Sequence, residues 1–139
     1  MPVICADGIV TRYVNYKESD RILSIFTIEH GRVDAKARGC RKPQSPLVNA
    51  CQPFVFGQFE LYTGKERMTV NACEVKETFY PIREDYAKFS IGSVMLRLCH
   101  DAAPENEPNP TLFSLLYHSL SFLSYGSSEP LDLFCCFLV

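Results

Sequence analysis

Five cations and one carboxylate crowd the segment Arg32 to Lys42 (Arg-Val-Asp-Ala-Lys-Ala-Arg-Gly-Cys-Arg-Lys) of a chain whose formal net charge is −2. The chemistry such a segment offers is neutralisation of an anion. Read in steps of two, Val33, Ala35, Ala37 and Gly39 share one face, and Arg32, Asp34, Lys36 and Arg38 share the other, the alternation of a half-buried β-strand. Arg41 and Lys42 carry the charge on into a loop, and Pro43 ends the strand. Cations spaced along a curved sheet can pair with successive phosphates, each contact releasing a condensed counterion. A charge run is most simply a solvated face, and its place in the fold has to raise it above that. A second group, Arg12, Tyr13, Tyr16, Lys17 and Arg21, interleaves cations with aromatic rings. Aromatic faces stack on unpaired bases for about 1–3 kcal/mol each, and a neighbouring arginine neutralises phosphate. Capping of a barrel end explains the same tyrosines. Lys65 and Arg67 at a hairpin tip add charge that solvation also explains.

Catalytic constellations are thin. His30, His100 and His118 do not share a ligand spacing, with each other or with a cysteine pair. Glu18 with Asp20, and Glu84 with Asp85, are accounted for by turn polarity and by helix N-terminal charge. Neither a phosphate loop nor a nucleophile elbow is present. The chain reads as a binding protein, not an enzyme, with no cofactor and no metal expected. Its 7 cysteines, at positions 5, 40, 51, 73, 99, 135 and 136, include no Cys-x-x-Cys pair. They read as small core residues of a reducing compartment, which places the protein in the cytoplasm.

At 139 residues the chain has room for one domain, or for two small ones sharing an interface. A hydrophobic fraction of 47% with 22% charged residues is globular. Residues 1–77 hold 11 basic and 9 acidic residues, and residues 78–139 hold 3 and 7, so cationic character is confined to the first part. A pI near 5.9 argues against binding nucleic acid over the whole surface; any such contact is local and salt-sensitive. No apolar run is long enough to cross a membrane, and the N-terminus lacks the pattern of a signal peptide.

The elements that must position these residues change character near Phe79. Before it the spacing predicts five strands, near 3–14, 21–29, 32–39, 53–63 and 67–77, with a glycine bulge at Asp7-Gly8 inside the first. Thr63-Gly64-Lys65-Glu66 makes a hairpin, while Pro43, Pro46 and Pro53 leave room for at most a short helix between strands three and four. Five short strands close most readily as an OB-type β-barrel, because closure removes exposed edges. Beyond Phe79 an amphipathic helix is predicted over 82–100, with Ala87, Ile91, Val94, Met95 and Leu98 as its buried stripe and Glu84 and Asp85 in its first turn. A linker follows from Asp101. Asn109 caps a second helix with Pro110 at its first position, an inner stripe of Leu112, Leu115, Leu116, Ser119, Leu120 and Leu123, and Gly126 as its stop. The apolar run 133–139 predicts a third, buried helix begun after Pro130, in a chain that is a fragment of a longer one. The class is α+β: an N-terminal barrel over 1–79 and an α-helical domain over 80–139, incomplete at its C-terminus.

In order, Asp7-Gly8-Ile9-Val10, Tyr16-Lys17-Glu18-Ser19-Asp20-Arg21-Ile22-Leu23, Phe26-Thr27 to His30-Gly31-Arg32, and Ala37-Arg38-Gly39-Cys40-Arg41-Lys42-Pro43 resemble the RecO family of bacterial recombination mediators. The likeness continues through Gln52-Pro53-Phe54, Phe59-Glu60-Leu61-Tyr62, Glu77-Thr78-Phe79, Pro81-Ile82-Arg83-Glu84-Asp85 and Pro108-Asn109-Pro110-Thr111-Leu112-Phe113. One tetrapeptide would be unspecific; a colinear series over nearly the whole chain is not. The resemblance implies an OB barrel joined to helices, and a nucleoid-associated cytoplasmic protein that binds single- and double-stranded DNA and anneals strands. It further implies work with a RecR-like partner to load recombinase, and binding of the C-terminal tail of single-stranded DNA-binding protein through the helical domain. By position it implies DNA contact at Arg32, Arg38, Arg41 and Lys42, extended to Lys36 and Arg21. Family members continue past position 139, many with a four-cysteine zinc site; Cys135 and Cys136 do not substitute for it. Asp34 interrupts the basic face. Two other readings fit the residues alone: a protein-interaction module whose basic barrel face docks acidic tails, and an RNA-binding OB protein.

Overall fold

A computed structural model describes residues 3–45, 47–64, 68–103, 107–126 and 137–138. Its described residues form five strands, β1 (Val3–Tyr16), β2 (Asp20–Thr27), β3 (Gly31–Ala37), β4 (Phe56–Tyr62) and β5 (Met68–Glu77), followed by α1 (Tyr80–Glu84), α2 (Tyr86–Ala102) and α3 (Pro110–Tyr125). The sheet closes in the order β1-β2-β3-β5-β4, with β4 antiparallel to β1 and a short parallel contact of Ala35 and Lys36 with Met68 and Thr69. This is the OB-type barrel that the strand spacing predicts.

Alternation assigns each barrel residue to a side. Val10, Leu23, Ile25, Val33, Ala35, Ala37, Phe59, Leu61 and Val70 fill the interior together with Cys40, Cys51 and Val55 from the long β3–β4 connection. That connection is a chain of hydrogen-bonded turns, from Lys42 N–H to Gly39 O through Cys51 N–H to Leu47 O, as its prolines require. On the outer side Ile9 and Phe26 join Phe54, Phe79, Ile82, Met95, Leu96, Phe113, Leu116 and Leu120 in a second core between barrel and helices. Burying a side chain of this size contributes about 1.5–3 kcal/mol, so the helices are fused to the barrel by a true core.

Four expectations change. β1 is one strand, but its irregularity falls between Val10 and Arg12, not at Gly8. Gly8 serves close approach instead: a Cβ there would stand 2.7 Å from Ile25 Cγ2 and 3.0 Å from Phe26 O. The helix expected over 82–100 is two, because Asp85 adopts an extended backbone (φ −117°, ψ 120°) and its carboxylate accepts from the N–H groups of Ala87 and Lys88. It caps α2 rather than lying inside a first turn. The buried face of α2 is Gly92, Met95, Leu96, Cys99 and His100, while Ala87, Val94 and Leu98 are exposed. Both faces are apolar, and the small Gly92 and Cys99 select the one that can approach Phe54 and the barrel; a Cβ at 92 would lie 2.9 Å from the Phe54 ring. In α3, Asn109 Oδ1 accepts from Leu112 N–H and Gly126 ends the helix as expected, but Phe113 is buried and Leu115 is not. Of the third helix expected after Pro130 only Phe137 and Leu138 are described, and both are helical; Lys65, Arg67, Cys135 and Cys136 lie outside the described residues.

Candidate nucleic-acid interface

The turn after β3 is the centre of the basic segment, and the β1–β2 turn holds it in place. Gly39 takes φ +66°, a left-handed conformation suited to glycine, and lets Lys42 N–H reach Gly39 O at 3.1 Å. Asp20 Oδ1 accepts from Gly39 N–H at 2.8 Å, and Ser19 O accepts from Arg41 N–H at 3.1 Å. The Gly39 N–H holds the Asp20 carboxyl below the usual range, against the opposing effect of burial, and Lys36 and Lys17 add to the lowering. Arg38, Arg41 and Lys42 are exposed around this pinned turn. Lys36, the last outward residue of β3, sets its ammonium 4.9 Å from the Tyr16 ring centre, and Lys17, from the β1–β2 turn, stands 5.4 Å from the same centre. One end of the barrel thus carries Lys17, Lys36, Arg38, Arg41 and Lys42, the two lysines beside Tyr16.

Arg32 and Arg21 are turned to other tasks, although Arg21, opposite Ala37 in register, shares the basic end. Arg32 is on the outer face of β3, but at its far end, where Nε donates to Ala103 O (3.3 Å) at the C-terminus of α2 and Nη1 lies 3.4 Å from His100 Nε2. A guanidinium only donates, so Nε2 accepts, and the remaining ring proton sits on Nδ1 facing Thr11 Oγ1 at 3.3 Å. The Thr11 hydroxyl in turn donates to Ser24 O at 3.1 Å. Burial, then Arg32 and Arg12, pull the His100 pKa down. Arg32 therefore joins barrel to helix. Arg21 shares the core-facing side of β2 with Leu23 and Ile25 and closes the barrel mouth, donating from Nη1 to Cys51 O (2.6 Å) and from Nε to Asn15 Oδ1 (3.2 Å). Its guanidinium carbon is 4.1 Å from the centre of the Tyr13 ring. Asp34 does lie between Arg32 and Lys36, but its carboxylate accepts the Ser24 hydroxyl at 2.9 Å. The parts that sequence reasoning missed are Asp20 and Ser19 as anchors of the turn. The turn-forming Glu18-Ser19-Asp20 is visible in the sequence, but its partner in the turn after β3 is not.

The sequence matches the family model for the N-terminal part of recombination protein O over residues 1–79 and the C-terminal model over 83–139. The chain belongs to the RecO family. Among its relatives, proteins named DNA repair protein RecO from Acetivibrio thermocellus, Pelotomaculum thermopropionicum and Desulforamulus reducens are 38%, 40% and 36% identical over 133, 131 and 129 residues. Those alignments cover 96%, 94% and 93% of this chain but 53%, 51% and 50% of the relatives, so the chain spans about half the length of the RecO proteins it matches. Among the described residues no group of three or more His, Cys, Asp or Glu side chains could hold a metal ion, and no helix is long and apolar enough to cross a membrane.

Proposed function

We propose that this RecO-family chain binds DNA through the barrel end built from Lys17, Lys36, Arg38, Arg41 and Lys42, and that it acts as a recombination and repair mediator. The observation that carries this reading is the pinning of the basic turn: Ser19 and Asp20 accept two hydrogen bonds from the backbone that carries the exposed cations, and a pre-formed turn loses less entropy on meeting phosphates than a loose segment does. Kinship with proteins named for DNA repair supports the same ligand. In this role the cations neutralise the backbones of two strands at once, so that complementary bases can meet and anneal, without any bond being made or broken by the protein. A RecR-like partner and the acidic tail of single-stranded DNA-binding protein are the proposed protein contacts, the tail on the helical part, where they would help to place recombinase on single strands.

Arg32 adds to the field of the barrel but is committed to α2, so the proposed footprint centres on the pinned turn. Binding of a single-stranded oligonucleotide is expected to fall linearly on a log–log plot against salt, with a slope of about −0.7 for each phosphate contact. Replacing Arg38, Arg41 and Lys42 together by alanine is expected to flatten the slope by about 2. Arg32→Ala is expected to change it by less than one contact. A triple variant with the parent slope would refute the footprint, and affinity that does not grow with oligonucleotide length would favour docking of acidic protein tails instead.

A further inference from the structure

Between the mouth of the barrel and the start of α2 lies a cavity of about 380 Å³ that the basic turn does not use. Tyr13 and Arg21 form one wall and Phe54 and Phe89 another, and Gln52 and Arg83 line it as well. Tyr13 is 38% exposed and Phe89 45%. Exposure alone does not single these two out, since Tyr86 is 87% exposed and Phe122 62%; what does is that Tyr13 and Phe89 line one cavity beside the Arg21 guanidinium. The walls are stiff. Arg21 is stacked on Tyr13 and tied to Cys51 O and Asn15 Oδ1. Arg83 donates from Nη1 to Gln52 Oε1 (2.6 Å) and from Nη2 to Pro53 O (2.9 Å). Phe89 meets Phe54 edge-on at 5.9 Å, and Phe54 is itself held with φ +73° by its N–H donating to Val10 O and by Val10 N–H donating to Val55 O.

These features select the ligand. Both terminal nitrogens of Arg83 already donate to protein oxygens, which weakens the cavity as a fork for carboxylates. What remains is flat apolar surface with guanidinium charge beside it, in a volume of the size that small ligands occupy. That suits a planar, π-faced and polar-edged group. Position supplies the rest: Asp20, which anchors the basic turn through Gly39, directly precedes Arg21 in β2, so cavity and cations share one barrel end. We propose that this cavity receives an unpaired nucleobase from a strand whose phosphates lie on the basic turn. The inference rests on the backbone-binding reading above and adds to it a reason to prefer single strands, since a paired base has both faces buried in its stack.

The test compares oligothymidylate with an abasic strand of equal length, each titrated into the 139-residue chain at one salt concentration. The thymine strand is expected to bind about 5- to 140-fold tighter, the range that stacking one base supplies. Phe89→Ala is expected to remove most of that ratio and Phe89→Tyr to keep it, with thermal melting reporting that each variant is folded. Tyr13→Leu, at the exposed barrel mouth, gives a second variant should Phe89→Ala not fold, and is also expected to lower the ratio. Equal affinity for the two strands, or a ratio that survives in the folded variants, overturns the base pocket while leaving backbone binding standing. Loss of binding to both strands overturns both readings.

Discussion

Asp20 is an acid in the middle of a cationic surface, and its effect on the proposed DNA binding is expected to run against its charge. Removing a carboxylate beside five cations ought to strengthen phosphate binding by simple electrostatics. Yet Asp20 Oδ1 accepts the N–H of Gly39 and so holds the turn that displays Arg38, Arg41 and Lys42. Asp20→Ala is therefore expected to weaken oligonucleotide binding several-fold by releasing that turn. Asp20→Asn keeps an oxygen acceptor and removes the charge, and is expected to bind at least as tightly as the parent. Fluorescence anisotropy titrations of the two variants decide between them, and tighter binding by Asp20→Ala would show that the pin is dispensable. The sign of the pKa shift agrees with this role: a carboxyl held low when folded favours the pinned turn above its ordinary pKa, an advantage lost as pH falls through its lowered folded value. Asp34, which looks in the sequence like the flaw in the basic face, sits midway along β3 and is taken up by the Ser24 hydroxyl.

At the scale of elements, the break between α1 and α2 carries a cost that can be measured. Asp85 satisfies two N–H groups at the start of α2, at 2.9 Å from Ala87 N and 3.2 Å from Lys88 N. Asp85→Ala is expected to lower stability by about 1 kcal/mol, the usual worth of an N-cap, read as a shift of the urea midpoint at unchanged m-value; no shift would mean that tertiary packing alone sets the helix start. The same boundary shows what the sequence could and could not disclose. Strand alternation around Val33, Ala35 and Ala37 and the proline-bounded connection were legible because they depend on near neighbours in the chain, and they led to the closed barrel. The buried face of α2 was not, since two apolar stripes compete there and Phe54, far away in sequence, decides between them by fitting against Gly92. The candidate site divided in the same way. Its cations could be read off the segment itself, but β3 separates Arg32 from the turn, and the alternation of β2 turns Arg21 inward to the barrel mouth. Neither fact is visible until strand register is known.

Across the whole molecule, the join between barrel and helices adds a neutral histidine to its apolar core. His100 on α2 is faced by Arg32 and Asp34 from β3, Arg12 from β1 and Asp101 from its own helix, with burial and the two arginines outweighing the acids. Its Nε2 accepts from Arg32, and the same guanidinium holds Ala103 O at the end of α2. A proton on Nε2 would set N–H against N–H and charge against charge at this junction. The unfolded chain has no such conflict and its His100 takes up a proton near the ordinary value of 6.5, whereas the folded chain resists until a lower pH. The unfolded state then binds more protons over that interval, so stability is full above about pH 6.5 and declines as pH falls through the folded pKa. Denaturant unfolding at about pH 7.5 and about pH 5 is expected to show a smaller loss in His100→Gln than in the parent chain, because glutamine keeps hydrogen-bonding capacity without the titration. Arg32→Ala is expected to reduce the pH dependence as well, by removing one of the charges that lower the histidine, although it also weakens the junction at every pH. Since Arg32 and the basic turn occupy opposite ends of β3, acid is expected to loosen the helices from the barrel before it disturbs the turn. Hydrogen exchange at about pH 5 should show this as faster exchange of α2 amides than of β2 and β3; loss of protection in all three together would mean that the junction and the barrel open as a single unit.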